Sequence, residues 1–218
     1  IPISARYCAR ALIMPITEPA IRTLADLMPY HQDVLAAASS ARNFDPLMTF
    51  KICPDTTPES IAELARKANR HVLVAGKVYP KDLTTNSKDG IEDYFALFED
   101  FAAMQEFEFV TCFHGEKPGR GILGRDRERA FLRTLFFIAR TFPHLRIVLE
   151  HITTAEAVDA VLTLPDTVAA SITAHHLLLT HDDVGCDRMN PNNYCKPVAK
   201  DSTDRAALIE AATSGCPK

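Results

Sequence analysis

The sequence lacks the features that mark membrane, secreted and nucleic-acid-binding proteins. None of its apolar runs reaches the roughly 18 residues that a membrane-spanning helix needs, so no span is expected. Residues 1–8 lack the charged start and the apolar core of a signal peptide. The formal net charge of −4 gives no broad basic surface, so nucleic acid is not expected as a partner.

Disulfide bonds are not expected either. The 6 cysteines are widely scattered, and no two of them form a C-x-x-C pair. A chain of 218 residues can build a sizeable core without a disulfide framework, so we expect reduced thiols and a cytoplasmic location, with an organelle matrix as the alternative. Cys8, Cys53 and Cys112 lie in or beside strand-like runs, which predicts that they are small core residues.

Short apolar runs alternate with helix-like stretches along the chain. The runs fall at residues 10–16, 47–53, 72–79, 109–114, 146–151 and 168–173. Helical spacing of apolar residues, or a helix-start signal, falls at 20–39, 57–65, 91–105, 126–141, 153–156 and 203–213. This alternation predicts an α/β fold with a parallel sheet and outer helices. Because no repeat or low-complexity linker interrupts it, residues 1–218 are predicted to be a single domain.

Three of the apolar runs end at a residue that can take part in metal binding. Lys77, His114 and His151 lie where a strand meets its loop, which in a parallel (β/α) barrel is the rim where catalytic groups gather. Imidazole is a common zinc ligand, whereas an ammonium group has no lone pair. A lysine that has reacted with CO2 to form a carbamate offers carboxylate oxygens instead. The alternative is that all three are ordinary loop residues, because such spacing discriminates loosely.

The segments around these residues resemble the dihydroorotases, in the short bacterial-type branch of the amidohydrolase superfamily. The matching segments are M-P at 14–15, D-P-L-M-T at 45–49, G-K-V-Y-P at 76–80, L-T-T-N-S at 83–87, F-H-G-E at 113–116, E-H-I-T-T at 150–154, S-I-T-A-H-H-L at 171–177 and N-Y-C-K-P at 193–197. Their order and spacing agree with the family across nearly the whole chain.

The resemblance implies a zinc-dependent hydrolase on a TIM-type barrel. Such an enzyme reversibly hydrolyses the cyclic amide of dihydroorotate to N-carbamoyl-aspartate in pyrimidine biosynthesis. Lys77 would be the carbamylated ligand that bridges two metals, and His114 and His151 would complete the shell of the more exposed metal.

The resemblance also implies where a small-molecule substrate, dihydroorotate, would bind. Thr84 and Thr85 match a pair on a loop that closes over the substrate, although such residues also suit an ordinary polar turn. Lys196 falls in the segment that lines the pyrimidine end, where the family more often has leucine. Ile16 follows Met14 and Pro15 where the family usually has an asparagine that contacts the substrate carboxylate.

Two family motifs are absent from the sequence. It has no H-x-H pair, which the first barrel strand of the family carries, and no counterpart of the catalytic aspartate of the last strand. We therefore expect about six of eight strands, an incomplete barrel and at most one zinc ion. Open sheet edges favour association, so we expect a homodimer or a subunit of a larger assembly. The start at Ile1 suggests a chain that was processed or begins inside a longer protein.

Three functions are consistent with these features. The first is a dihydroorotase or a fragment of one, whose isolated chain should be inactive. The second is a catalytically inactive scaffold or assembly subunit, and the third is another cyclic amidohydrolase such as a hydantoinase, against which the short loops argue. His175 and His176 are not expected to share a metal, because adjacent residues at a strand end point in opposite directions.

Overall fold

A parallel sheet of six strands organises the computed structural model, which describes residues 1–39 and 43–218. The strands lie side by side in chain order, and each neighbouring pair is parallel. Their bounds are Arg10–Ile13 (β1), Asp45–Ile52 (β2), Leu73–Val78 (β3), Val110–His114 (β4), Arg146–Glu150 (β5) and Val168–Ala170 (β6). The six parallel strands form an incomplete (β/α) barrel, which confirms the predicted fold class. The single-domain assignment stays a prediction.

An α-helix occupies each of the five intervals between these strands, and further helices precede β1 and follow β6. The α-helices of the described residues are Pro2–Tyr7 (α1), Leu24–Ala37 (α2), Pro58–Lys67 (α3), Phe98–Glu106 (α4), Arg127–Thr141 (α5), Ala155–Thr163 (α6), His181–Gly185 (α7) and Ser202–Thr213 (α8). Four short 3-10 helices cover Tyr94–Leu97, Gly124–Asp126, Ala174–Leu177 and Pro191–Asn193. The sequence did not predict α1 and α7, because helices this short have no periodic apolar face.

Threonines fix where several of the helices begin. Thr23, Thr57 and Thr154 each accept a hydrogen bond from a backbone N–H in the first turn of the helix that follows. This N-cap satisfies a donor that has no partner inside the helix. The helix predicted over residues 20–39 therefore begins only at Leu24.

The core fills the space between the sheet and the outer helices, and it is closely packed beside β3. Gly76 lies where α4 packs on this strand, and a Cβ atom added there would come within 2.9 Å of both Ile52 and Met104. Phe101 and Phe113 meet edge to face in the same layer, with ring centroids 5.7 Å apart. This close packing fixes the position of the next residue, Lys77, along the strand.

The cysteines are all free, but their burial differs from the prediction at one position. Cys53 and Cys112 are buried, as expected, whereas Cys8 is exposed. Cys8 lies between α1 and β1, outside the space that the sheet and helices enclose. Among the described residues, the helices are too short or too polar for any of them to cross a membrane.

Candidate metal and substrate site at the strand ends

A cavity of about 580 Å³ opens at the carboxyl ends of the strands. It brings together the six residues to which the sequence analysis gave metal-binding or substrate-binding roles (Lys77, Thr84, Thr85, His114, His151 and Lys196), although they come from two strands and three loops. The lining residues are Met14, Ile16, Lys77, Tyr79, Leu83, Thr84, Thr85, His114, Glu150, His151, Tyr194, Cys195 and Lys196. The ends of parallel strands meet at one rim, which is the physical reason for this convergence.

His114 and His151 form the centre of the cavity wall. Their imidazole rings meet edge to face, with centroids 4.6 Å apart. His114 ends β4, while His151 follows β5 with a φ of 46°. A non-glycine residue rarely adopts this left-handed conformation, and here a hydrogen bond of 2.8 Å from its backbone N–H to the Ser171 hydroxyl supports it. The strained backbone turns the imidazole of His151 towards His114.

Both imidazoles are neutral at physiological pH. Burial lowers the pKa of His114 to about 3, and the nearby Lys77 ammonium lowers it further. Burial lowers the pKa of His151 to about 2, with smaller contributions from His114 and Lys77. A neutral imidazole keeps a lone pair free for a metal, so protons do not compete with a cation here.

Lys77 lies deep in the same wall, with only 1% of its surface exposed. Burial lowers the pKa of Lys77 to about 7, whereas its direct contact with the Glu150 carboxylate favours the charged form. Glu150 is the register partner of His114 on the neighbouring strand. A substantial neutral fraction at physiological pH is what an amine needs to react with CO2, so burial favours carbamate formation at this residue.

Glu116 holds one side of the His114 ring. Its Oε2 atom lies 2.7 Å from His114 Nε2, a distance at which Nε2–H donates to the carboxylate. This hydrogen bond leaves Nδ1 of His114 as the nitrogen with a lone pair. Carboxylates commonly orient metal-binding histidines in this way.

The donor set fits a zinc ion. Nδ1 of His151 is buried and has no hydrogen-bond partner within residues 1–39 and 43–218. Leaving a buried polar atom unpaired costs about 1–3 kcal/mol, unless a ligand completes the site. Two neutral imidazoles and a carbamate at Lys77 would provide the nitrogen and oxygen ligands that zinc prefers.

The loop with Thr84 and Thr85 is tied to the sheet by a lysine that the sequence analysis overlooked. Lys51 is buried on β2 beside Lys77, and its ammonium contacts the Asp89 carboxylate. It also donates to the backbone carbonyl of Asn86 over 2.7 Å. The signal was present in the sequence, because Lys51 lies near the end of a strand just as Lys77 does.

The residues opposite the histidines include a lysine and an isoleucine. Lys196 lines the cavity together with Tyr194 and contributes positive charge near His114. Ile16 lines it from the end of β1, and its backbone carbonyl accepts a hydrogen bond of 2.9 Å from the Asn86 side chain. The side chain of Ile16 itself offers no hydrogen bond.

The argument against a shared metal at His175 and His176 is wrong because it assumed a strand end, whereas the expectation itself stays untested. The two residues lie in the 3-10 helix Ala174–Leu177 and not at the end of a strand, so their rings do not point in opposite directions. Their ring centroids are 4.1 Å apart, and Cys195 lies beside them. Strand alternation does not apply to a 3-10 turn, in which neighbouring side chains can lie close together.

Comparisons with known proteins agree with this fold. No protein-family model matches the chain. Dihydroorotases of Acaryochloris marina and Idiomarina loihiensis are each 42% identical to it over 219 aligned residues, which cover 100% of this chain and 63% of each relative. The chain thus spans less than two thirds of the length of the curated relatives it matches.

Solved structures give the same result. The dihydroorotase of Campylobacter jejuni superimposes with a TM-score of 0.88 at 35% identity, covering 98% of this chain and 61% of that one. Saccharomyces cerevisiae dihydroorotase in complex with 5-fluoroorotic acid also gives 0.88, at 38% identity, with 99% and 61% covered. The L-hydantoinase of Arthrobacter aurescens gives 0.75 at 16% identity, covering 98% and 50%, which shows a shared fold alone.

The fold and the rim site define a barrel of the amidohydrolase class. Within that class, the chain is dihydroorotase-like along its whole length.

Proposed function

We propose that the protein carrying this chain is a zinc-dependent cyclic amidohydrolase that reversibly hydrolyses dihydroorotate to N-carbamoyl-aspartate. The observation that carries the proposal is the convergence of Lys77, His114 and His151 in one cavity, with a buried nitrogen of His151 left without a partner among the described residues. Similarity to dihydroorotases along the whole chain supports this choice of substrate.

Zinc would be held by His114, His151 and a carbamate formed on Lys77. When bound, such an ion polarises a carbonyl group and lowers the pKa of a water molecule. The ligands within the chain support one metal position, because the sequence contains no H-x-H pair. Glu116 keeps His114 in the orientation and tautomer that a metal requires.

The remaining cavity residues would bind and enclose the substrate. Thr84 and Thr85 line the cavity from the loop after β3, where their hydroxyl groups can donate hydrogen bonds to a carboxylate or a ring oxygen. Lys196 places a cation at the same cavity, which suits an anionic substrate such as dihydroorotate. The contacts of Lys51 with Asp89 and with the Asn86 carbonyl hold this loop over the opening of the cavity.

The experiment uses the natural reading frame that contains these 218 residues. The purified protein should hydrolyse dihydroorotate and should hold zinc. His151→Ala should abolish both properties, whereas His71→Ala, which removes an exposed imidazole outside the cavity, should leave them unchanged. Labelling with carbon-13 bicarbonate should give a carbamate signal that a Lys77→Met variant lacks.

The same experiment separates the alternatives. Zinc binding without hydrolysis of dihydroorotate or of a hydantoin would favour the scaffold function. Hydrolysis of the hydantoin with no turnover of dihydroorotate would favour a hydantoinase. Neither alternative has a separate observation in its favour, since the hydantoinase likeness shows the fold alone.

Ile16 offers a second test of the substrate assignment. It stands where the resemblance leads us to expect a side chain that binds the substrate carboxylate, and it lines the cavity. We expect Ile16→Asn to lower KM for dihydroorotate by about tenfold, because one hydrogen bond to a charged group is worth about 1.5–3 kcal/mol. Ile16→Val, which adds no polar group, is the matched control. An unchanged KM in the Ile16→Asn variant would argue against a substrate orientation in which the carboxylate lies beside residue 16.

A further inference from the structure

A second cluster of potential ligands lies at the edge of the cavity, outside the group formed by Lys77, His114 and His151. His175 and His176 belong to the 3-10 helix after β6, and Cys195 follows the 3-10 helix Pro191–Asn193. One ligand atom from each of the three residues lies within 4.8 Å of the other two. Two imidazoles and a thiol are a donor set that binds borderline and soft metal ions.

The donor atoms have nearly the spacing of a tetrahedral site. Cys195 Sγ lies 3.0 Å from His175 Nε2 and 4.0 Å from His176 Nε2. The backbone oxygen of Pro197 lies 3.5 Å from the same sulfur and 3.0 Å from His176 Nε2. Zinc bond lengths of about 2.0–2.3 Å imply donor atoms about 3.3–3.6 Å apart around a tetrahedral ion, so only small shifts are needed.

Thr173 can hold His176 in the tautomer that binds a metal. Its hydroxyl oxygen lies 2.7 Å from His176 Nδ1, so Nδ1–H can donate to it and leave the Nε2 lone pair directed at Cys195. Without a metal, Nε2–H can instead donate to the Pro197 carbonyl. A metal ion would replace that proton, and the proton would move to Nδ1 or to solvent.

The protonation states of His176 and Cys195 agree with this exchange of a proton for a metal ion. Burial lowers the pKa of His176 to about 4, so the imidazole is neutral at physiological pH. Burial raises the pKa of the Cys195 thiol, so a metal ion must displace its proton on binding. Binding should therefore release a proton and become tighter as the pH rises.

We propose that His175, His176 and Cys195 form an accessory binding site for a borderline or soft divalent cation such as Zn²⁺ or Cd²⁺. A thiolate and imidazoles disfavour Mg²⁺ and Ca²⁺, which prefer oxygen ligands. Since Cys195 also lines the substrate cavity, the bound ion would fix the position of that wall. The site does not depend on the function proposed above.

The experiment titrates the whole protein with Co²⁺ and follows the thiolate-to-metal absorption band. A His151→Ala background removes the cation site proposed for catalysis, so the two sites can be counted separately. In that background we expect a band that Cys195→Ser abolishes and that Cys186→Ser and Cys216→Ser, at exposed cysteines, leave intact. His175→Ala should weaken Co²⁺ binding by more than the about 10–100-fold that loss of an outer-shell partner costs.

A second measurement uses the protein without substitutions. Cd²⁺, but not Mg²⁺, should protect Cys195 from alkylation, as mapped by mass spectrometry, while Cys186 stays reactive. This test stands even if a variant fails to fold. The proposal fails if Cd²⁺ leaves the alkylation of Cys195 unchanged, or if the cobalt band survives in a folded Cys195→Ser variant. If the protein gave this cobalt band but did not hydrolyse dihydroorotate, the accessory cation site would stand while the proposed function failed.

Discussion

Two buried polar clusters include residues of the segment after β5, and they differ in how well their polar atoms are paired. On one side, the Glu128 carboxylate is buried under α5 and accepts hydrogen bonds from the Thr153 backbone over 3.0 Å and from the Thr153 hydroxyl over 2.8 Å. The Thr154 hydroxyl donates a further bond of 2.5 Å. On the other side, His151 has a buried nitrogen without a partner within the described part of the chain.

The difference separates a structural role from a functional one. Burial raises the pKa of Glu128, and the Lys200 cation and the threonine hydrogen bonds lower it again. Those bonds offset the cost of burying the carboxylate, so the cluster around it can stabilise the loop after β5. The cavity cluster instead leaves Nδ1 of His151 without a partner among the described residues, as expected of a group that is arranged for a ligand.

The largest effect should come from removing Lys77. We expect Lys77→Met to lower kcat/KM for dihydroorotate by at least about 10³-fold, because loss of one preorganised electrostatic group already costs about 10²–10³-fold. The free energy of unfolding should change little, since the gain from removing a buried amine and the loss of its contact with Glu150 oppose each other. Steady-state kinetics, zinc content and urea unfolding measure these three quantities. Strong destabilisation would indicate that Lys77 has a structural role, as Glu128 does.

Removal of Glu128 should have the opposite pattern. We expect Glu128→Ala to lower the free energy of unfolding by about 3 kcal/mol, because it leaves the donors of Thr153 and Thr154 without a partner. Zinc bound per folded molecule should not change. Urea unfolding and metal analysis give the two values, and Glu63→Ala, at an exposed position, is the control. Loss of zinc from a folded Glu128→Ala variant would show that the Glu128 cluster also supports the metal site.

Glu116 shares features with both clusters. It is buried and hydrogen-bonded, as Glu128 is, but its partner is His114 of the cavity. We expect Glu116→Ala to weaken zinc binding by about 10–100-fold, as loss of a carboxylate that orients a metal-bound histidine usually does. Competition with a chelator measures the affinity. Glu116→Gln can still accept the hydrogen bond and should recover part of it. Equal affinities in the alanine variant and the unsubstituted protein would assign Glu116 to packing alone.

Asp100 gives the smallest effect and shows that an unpaired carboxyl need not be functional. It is buried in α4, one of its oxygens has no partner among the residues described, and it lies outside the cavity. Burial raises the pKa of Asp100 to about 6, above the value of 3.8 expected for the unfolded chain.

The folded state therefore binds this proton more tightly than the unfolded state does. The contribution of Asp100 to stability should rise as the pH falls from about 7 to 4, and it should level off below that range. We expect Asp100→Asn to stabilise the protein by about 1–2 kcal/mol at pH 8, because about two pKa units correspond to about 3 kcal/mol and the buried asparagine amide keeps part of the desolvation cost. Unfolding measured at pH 5 and pH 8 tests this. An equal effect at both values would contradict it.

Much of the fold could be predicted from local patterns. Each of the six strand-like runs overlaps a strand of the sheet, because short buried parallel strands have few polar residues, although β2 begins two residues before its run. The ends were less accurate: β1 and β6 stop three residues before the apolar runs at 10–16 and 168–173 do. Apolar residues continue beyond these strands as they line the cavity and the sheet edge, and composition cannot distinguish the two.

The positions of Lys77, His114 and His151 at strand ends were determined by the sequence alone, since a parallel barrel gathers such positions at one rim. The pairing of their atoms was decided only by the tertiary structure. The contacts of Lys77 with Glu150 and of Cys195 with His175 join residues 73 and 20 positions apart. Such contacts depend on strand register and on loop conformation, which arise from packing over the whole sheet and leave no local periodic signal.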